Sequence, residues 1–298
     1  MTIYILGALI ILLPLLLIAW LSFSKVQSKS EWLLRLLFVA SIVLICYKVG
    51  TWSMTSYYMR FVIGALFLGS TLYSFHNISA GLWHVPKEQW LRIGGTALFS
   101  LLGILLSALT LSGTNYTGSN SISLKFPFGQ GWYYVIQGGS NVLTNPFHSM
   151  ALNGKYAIDL VKIHNLGNRA ATVFPEAIDQ YHIFGEVVHS PCNGSVVTTV
   201  SGLPDNEPTN VDREHPAGNH IIIECNTVDV MLAHLKEGSL KVSQGDNVKE
   251  GQSVGEVGNS GYTDEPHLHI QANSHDGNLV AIMFGERFLS INDIYVVK

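Results

Sequence analysis

The chain has 298 residues, with 17 Lys and Arg against 21 Asp and Glu, 12 His and a formal charge of −4 with His neutral. That length allows roughly two domains, and the acidic balance excludes attraction to nucleic acid or other polyanions through net charge. Hydrophobic residues make up 48% of the chain, and composition divides it near Ser112.

The first part is dominated by apolar runs. Thr2 to Phe23 is uncharged and long enough to cross a bilayer, which takes about 20 residues as a helix. Further runs follow around Trp32 to Trp52, Tyr58 to Phe75 and Ile93 to Ser112. The second has a short uncharged centre, with Arg35 and Lys48 placed to snorkel. A cleaved signal peptide fits the first run poorly, because no basic segment precedes it and more apolar spans follow. The predicted architecture for residues 1–112 is therefore an α-helical transmembrane bundle of about four helices. Lys25, Lys29, Arg35, Lys87 and Arg92 fall in or beside the first and third loops, against Lys48 and Arg60 at the second. By a small margin, this bias places both termini outside. Glu31 and Glu88 are the acidic residues of this half, and both are expected in loops. Without a mid-span acid, anchoring is favoured over transport or proton relay.

Gly113 to Ser121 is polar and rich in Gly, Ser and Asn, and 113–125 is expected to be a tether. Beyond it the charge reverses. Nineteen of the acidic residues lie from Gly113 onward against ten basic ones, together with ten of the histidines. Short runs rich in Val, Ile, Tyr and Thr alternate with Gly, Asn and Pro: Gly131 to Ile136, Ser195 to Val200, His220 to Glu224 and Val228 to Leu232. They predict an all-β, antiparallel domain over 126–298, a sandwich or partly open barrel. From Val242 to Gly261, glycines recur between single apolar residues, which suits tight turns between very short strands. A lipoyl or biotin carrier uses similar phrasing, but the lysine-centred attachment motif is absent.

Of the three cysteines, Cys46 sits in an apolar run and reads as a small apolar residue. Cys192 and Cys225 belong to the β half, and a disulfide between them is permitted if that half is extracytoplasmic. Neither has the Cys-x-x-Cys spacing of a zinc knuckle.

Glu265-Pro266-His267-Leu268-His269-Ile270 places two imidazoles two residues apart. On a strand they leave the same face, with Leu268 turned into the core. His234 and the apolar-flanked Asp159 are candidates to join them. His and Asp suit a hydrolytic zinc centre with three protein ligands and one open position. The helical His-Glu-x-x-His arrangement is missing. His164, His182, His189, His215, His220 and His275 are expected in loops or at the surface.

In order, the chain contains Asn145-Pro-Phe-His148, Lys155-Tyr-Ala-Ile-Asp159-Leu and Phe184 to Val197 with Pro191 and Gly194. There follow Gly218-Asn-His-Ile-Ile-Ile, Leu232-Ala-His234-Leu, the glycine-rich stretch, and Gly258-Asn-Ser-Gly261 through His269. From about Phe126 to near the C-terminus, this resembles the lysostaphin- and LytM-like zinc endopeptidases, which hydrolyse peptides of bacterial cell walls. The resemblance implies one Zn²⁺ per chain, with His148, Asp159 and His269 as ligands. It also implies His234 and His267 as proton-handling, transition-state-stabilising groups. Asp179 and Asn219 are candidates for hydrogen bonds behind the ligands, an ordinary loop role being the alternative for each.

One departure stands out. The family's common form has its first ligand His four residues before the Asp, where this chain has Lys155. A branch with the phrase Tyr-Ala-Ile-Asp uses a longer connection, so the expectation is His148, with His164 as the fallback. If neither ligates, the domain is an inactive relative. The expected function is a multi-pass membrane zinc endopeptidase whose C-terminal domain faces peptidoglycan outside the cell. Its partners are then peptidoglycan peptides and the lipid bilayer, with no nucleic acid. The alternatives are a catalytically inactive wall-binding or regulatory module, and a membrane sensor or transporter.

Overall fold

Four apolar runs fold as helices in the computed structural model, which describes residues 2–78, 83, 90–150, 154–276 and 278–298. They are α1 (Thr2–Phe23), α2 (Lys29–Val49), α3 (Met59–His76) and α4 (Trp90–Gly113). Among the described residues, thirteen strands follow from Ser121 onward. The chain separates into two compact units, Met1–Trp52 with Tyr57–Ser112, and Ser53–Ser56 with Gly113–Lys298.

In the helical unit, Ser28 caps α2 by accepting from the Glu31 backbone N–H at 3.1 Å. The Glu31 carboxylate turns back to accept from the Gln27 N–H at 3.0 Å, a variant of the capping box. Glu31 is thus in the first turn of α2 and buried, a correction to its expected loop position. Its charge is met by Arg35 at 2.5 Å and Arg92 at 3.1 Å, which is what makes burial tolerable. Glu88 lies outside the described residues. Ile18, Leu21, Val39, Val43, Trp52 and Ile63 form the interior of this unit.

Large apolar side chains face outward on the helical unit. Leu68 is 63% exposed and Leu72 72%, and long outward leucines in this number mark a surface that meets something apolar. On α4, Ser100 donates to the Leu34 carbonyl of α2 at 2.7 Å and Ser107 to the Ser41 carbonyl at 3.3 Å. Between them, a Cβ on Gly103 would sit 2.8 Å from the Ser41 Cβ, so only glycine permits this approach. By length and composition, α2 and α4 could cross a membrane, while the apolar stretch Gly7–Phe23 of α1 is shorter. Four helices were expected as spans, and two meet that measure among the described residues.

The β unit has β1 (Ser121–Leu124), β2 (Gly131–Gln137), β3 (Ile158–Lys162), β4 (Val187–His189), β5 (Gly194–Val200), β6 (Asn219–Cys225) and β7 (Val228–Leu235). It continues with β8 (Asn247–Val248), β9 (Ser253–Glu256), β10 (Leu268–Ser274), β11 (Leu279–Phe284), β12 (Arg287–Phe288) and β13 (Ile294–Val297). Eight of these form a run ordered β13-β2-β3-β10-β7-β6-β5-β8, with β11 also paired to β10, and β4 and β9 form a separate pair. The sheet is mostly antiparallel, as alternation predicts. The exception is β1, which lies parallel to β11.

That parallel pair belongs with a second difference. The expected tether of residues 113–125 is not free chain. The Gly113 carbonyl accepts from the Ser140 N–H at 2.8 Å, and Tyr116 lies edge-on to Tyr156 at 5.3 Å. Ser121–Leu124 is strand β1. The edge of β11 offers unpaired backbone groups that a passing segment can satisfy, and composition alone does not reveal that offer.

Period-two burial is clean in β6, where Ile221, Ile223 and Cys225 point inward, and in β10, where Leu268, Ile270 and Ala272 do. The core gathers these with Ile158, Leu160, Val230, Leu232 and Val254. Cys192 and Cys225 are joined as a disulfide, their Cα atoms 6.0 Å apart, tying the turn before β5 to the end of β6. Register then sets the site. His269 on β10 lies opposite Asp159 on β3 on one side and Ala233 on β7 on the other.

Candidate metal centre

Asp159 reaches the site because its neighbours Ile158 and Leu160 both face apolar interior, which turns the carboxylate to the opposite face of β3. Its Oδ1 lies 2.9 Å from His269 Nδ1 and its Oδ2 lies 3.5 Å from His148 Nε2. The donor atoms of His148, Asp159 and His269 all fall within 4.8 Å of one another. Zinc binds imidazole nitrogen and carboxylate oxygen at about 2.0–2.2 Å, so small side-chain movements suffice for three such donors to share an ion. Two neutral imidazoles and one carboxylate are also the chemistry that a hydrolytic zinc site uses.

Each ring is held by a partner that fixes which nitrogen carries hydrogen. His148 Nδ1–H donates to Asn145 Oδ1 at 3.0 Å, leaving Nε2 for an ion. The Asn145 amide is oriented by donating to the carbonyls of Ala157 at 2.9 Å and Lys155 at 3.2 Å, so its oxygen faces the ring. His269 is reversed. Its Nε2–H donates to Gln271 Oε1 at 3.2 Å and its Nδ1 is directed at Asp159. Gln271 is two residues along the same strand and hence on the same face. Such partners fix ring orientation and raise ligand basicity.

The other two histidines stand beside this group. His267 directly precedes β10, and its Nε2 lies 3.7 Å from Asp159 Oδ1. Its Nδ1–H donates to the Glu265 carbonyl at 2.8 Å. His234 Nδ1–H donates to the Ser260 carbonyl at 2.9 Å, and its ring centre is 4.7 Å from that of His267 and 5.8 Å from that of His269. His234 sits at a bulge where β7 gains a residue over β6, with φ of 62°. For a non-glycine residue this left-handed conformation carries strain, which collects at functional sites. The Ser260 carbonyl is reached because Gly218 packs against it. A Cβ there would fall 2.1 Å from that oxygen, and the φ of +58° also requires glycine.

Burial and charge divide three of the imidazoles and set the carboxylate. Burial would raise Asp159, but the charges of His148 and His267 and the His269 hydrogen bond hold it well below the usual carboxylate range. Burial pushes His269 down, yet its hydrogen bond to Asp159 and that carboxylate's charge overcome it and raise the ring. Burial lowers His148 despite Asp159. Burial, with His267 and His269 nearby, pushes His234 well below its ordinary value, so it is neutral at neutral pH.

The five residues selected from the sequence thus come together, and the others do not join them. His164 is exposed and packs on His182, with ring centres 5.1 Å apart. Asn219 uses its side chain to bond the backbones of Leu203 and Leu235. Asp179 is exposed in a 3-10 turn, Ile178–Gln180. The residues that orient the rings, Asn145, Gln271, Ser260 and Glu265, had no role in the sequence reading. Gln271 could have been found from its two-residue offset to His269. A backbone carbonyl such as that of Ser260 leaves no mark in side-chain identity.

Residues 176–281 match Peptidase family M23, a range that holds His234, His267 and His269 but begins after His148 and Asp159. Endolysin 2638A of Staphylococcus phage 2638A is 39% identical over 62 residues, 20% of this chain and 13% of that protein. The chain therefore spans a small part of the curated relative it matches. Among solved structures, a zinc-containing peptidase from Vibrio cholerae is 20% identical with a TM-score of 0.32, covering 51% of this chain and 37% of that one. The catalytic domain of lysostaphin from Staphylococcus simulans is 20% identical with a TM-score of 0.27, covering 51% of this chain and 80% of that one. Residues 176–281 are accordingly a peptidase family M23 domain, consistent with a lysostaphin- or LytM-like peptidase.

Proposed function

We propose that this protein is a membrane-anchored zinc endopeptidase that hydrolyses peptide bonds of bacterial peptidoglycan, in a stem peptide or cross-bridge, on the outer side of the membrane. The observation that carries the reading is the convergence of His148, Asp159, His269, His267 and His234, with three donor atoms within 4.8 Å of one another. The outward leucines of the helical unit and the Cys192–Cys225 disulfide support a multi-pass anchor and an oxidising location.

In this reading His148 Nε2, an Asp159 oxygen and His269 Nδ1 hold one zinc ion. Zinc supplies a Lewis acid that activates water and polarises the scissile carbonyl. His267 and His234 both keep hydrogen on Nδ1, bonded to a backbone carbonyl, so both present an Nε2 lone pair. His267, whose Nδ1–H is held by the Glu265 carbonyl and whose Nε2 is 3.7 Å from the Asp159 carboxylate, is assigned as the base that takes the water proton. His234 starts neutral. The proton that His267 takes from the water passes to Nε2 of His234, their ring centres being 4.7 Å apart, and His234 then donates it to the developing oxyanion or to the leaving amine. The bulge that strains His234 aims its ring at His267, and the Ser260 carbonyl prevents rotation.

The test is digestion of purified cell wall by the detergent-solubilised full chain, with zinc and with chelator, read by mass spectrometry of released fragments. New amine termini within peptidoglycan peptides, lost with chelator, are expected. Zinc-free protein that binds wall without releasing fragments would replace this reading with that of an inactive wall-binding module.

A further inference from the structure

Arg169 lies outside the five-residue cluster, yet it is among the largest fully buried side chains, at 1% exposure. Its Nε reaches both Glu265 oxygens at 2.8 Å, and Nη2 lies 2.6 Å from Oε2. The Tyr181 ring is 5.7 Å from the guanidinium. The backbone of Arg169 is fixed as well, since its carbonyl accepts from the His182 N–H at 3.0 Å and Ala170 bridges to Tyr181. On the other side of the pair, the Glu265 carbonyl accepts from Thr263 Oγ1 at 2.7 Å and from His267 Nδ1–H at 2.8 Å. Pro266 follows Glu265 and restricts its backbone to extended conformations.

We propose that Arg169 and Glu265 are positioning residues for His267: the guanidinium fork immobilises Glu265, whose carbonyl then holds the imidazole as the Nδ1–H tautomer with Nε2 free. The inference rests on the reading of His267 as the proton-handling ring. A buried ion pair is an expensive way to fill space, because desolvation offsets much of its attraction and an apolar pair of similar volume packs as well. What the pair provides is geometry. Two parallel charge-assisted hydrogen bonds fix both position and angle of a carboxylate, which a lysine's single ammonium does not. The carboxylate and the carbonyl that meets His267 belong to one residue, so loosening the first frees the second. A staple that merely joined the 164–171 loop to the 261–267 loop would affect stability and leave the ring unchanged.

The test uses the zinc-loaded full chain in detergent with ¹⁵N-labelled histidine, comparing wild type with Arg169→Lys. Nitrogen–proton correlation spectra of the ring are expected to show His267 as Nδ1–H in the wild type and a mixture with the Nε2–H form in the variant. On cell-wall fragments, kcat is expected to fall by about tenfold or more, while KM stays within roughly twofold and zinc content is unchanged. Glu265→Gln, which keeps one acceptor for the fork, is expected to move both readouts the same way and serves if Arg169→Lys does not fold. A wild-type tautomer together with wild-type kcat in the folded variants would overturn the proposal while leaving the peptidase reading intact. If the wild type neither holds zinc nor cleaves wall, the peptidase reading fails, and the ring spectra still decide whether the pair positions His267.

Discussion

At the scale of single residues, the site is a set of imidazoles made different by their partners. His148 and His269 turn opposite ring nitrogens, Nε2 and Nδ1, towards Asp159, while Asn145 and Gln271 respectively hold the other nitrogen. Replacing His269 with Ala is expected to abolish zinc retention and turnover together, because a ligand is removed. His267→Ala is expected to keep zinc and lose about 10²–10⁴-fold in turnover, the usual contribution of a general base. Metal analysis alongside wall digestion distinguishes the two. His234 makes a pH prediction. Its folded value is lowered, so below about 6.5 the unfolded chain binds a proton that the folded chain refuses, and stability falls as pH falls. In chelator, wild type should lose about 1 kcal/mol relative to His234→Asn between pH 7.5 and 5.5, Asn being tolerant of the left-handed backbone there. Denaturant titration at the two values checks it, and equal slopes would contradict it.

At the scale of elements, alternation in β6 and β10 was legible from residue types, because three successive positions on one face of each strand are apolar. The pairing that brings Asp159 beside His269 was not, since a hydrophobic pattern says which face is buried and not which strand lies next to it. His148 shows the limit more sharply. It arrives on a turn eleven residues before Asp159, and only resemblance singled it out over His164. The β1 pairing and the docking of residues 113–120 were missed because a polar, glycine-rich stretch has the same composition whether it is free or paired with an edge. Ser28-x-x-Glu31 is a capping sequence, and it sets Glu31 in the first turn of α2 and not in the loop expected for it. The disulfide was permitted by sequence, and the paired ends of β5 and β6 bring its cysteines within reach. With a sequence separation of 33, replacing both cysteines by Ser should cost about 3–4 kcal/mol in chain entropy. Calorimetry of the oxidised and double-variant proteins measures it, and an unchanged transition would show that the link carries no stability.

At the scale of the whole chain, two units of opposite surface chemistry share one polypeptide. One exposes leucines such as Leu68 and Leu72, and the other is acidic and alternates buried with solvated faces. In the proposed arrangement the first is immersed in the bilayer and the second faces the wall. Protease added outside wall-stripped cells is then expected to degrade residues 113–298 while the helical unit is protected. Full protection of the β unit would place it on the cytoplasmic side and remove peptidoglycan as its substrate. The apolar runs and their approximate number could be read directly from composition, whereas the small-residue contact of α4 with α2 depends on Gly103 meeting Ser41, which no single run reveals.

In the proposed function, two imidazoles and one carboxylate, from a turn and two neighbouring strands, bind one zinc ion. X-ray absorption at the zinc edge, on the full chain and on His148→Ala, tests it most directly. The expected result is a nitrogen and oxygen shell at about 2.0–2.1 Å with two imidazoles' outer scattering in the full chain, and loss of the zinc from the variant. An unchanged imidazole signal in His148→Ala, or sulfur in the shell, would contradict it.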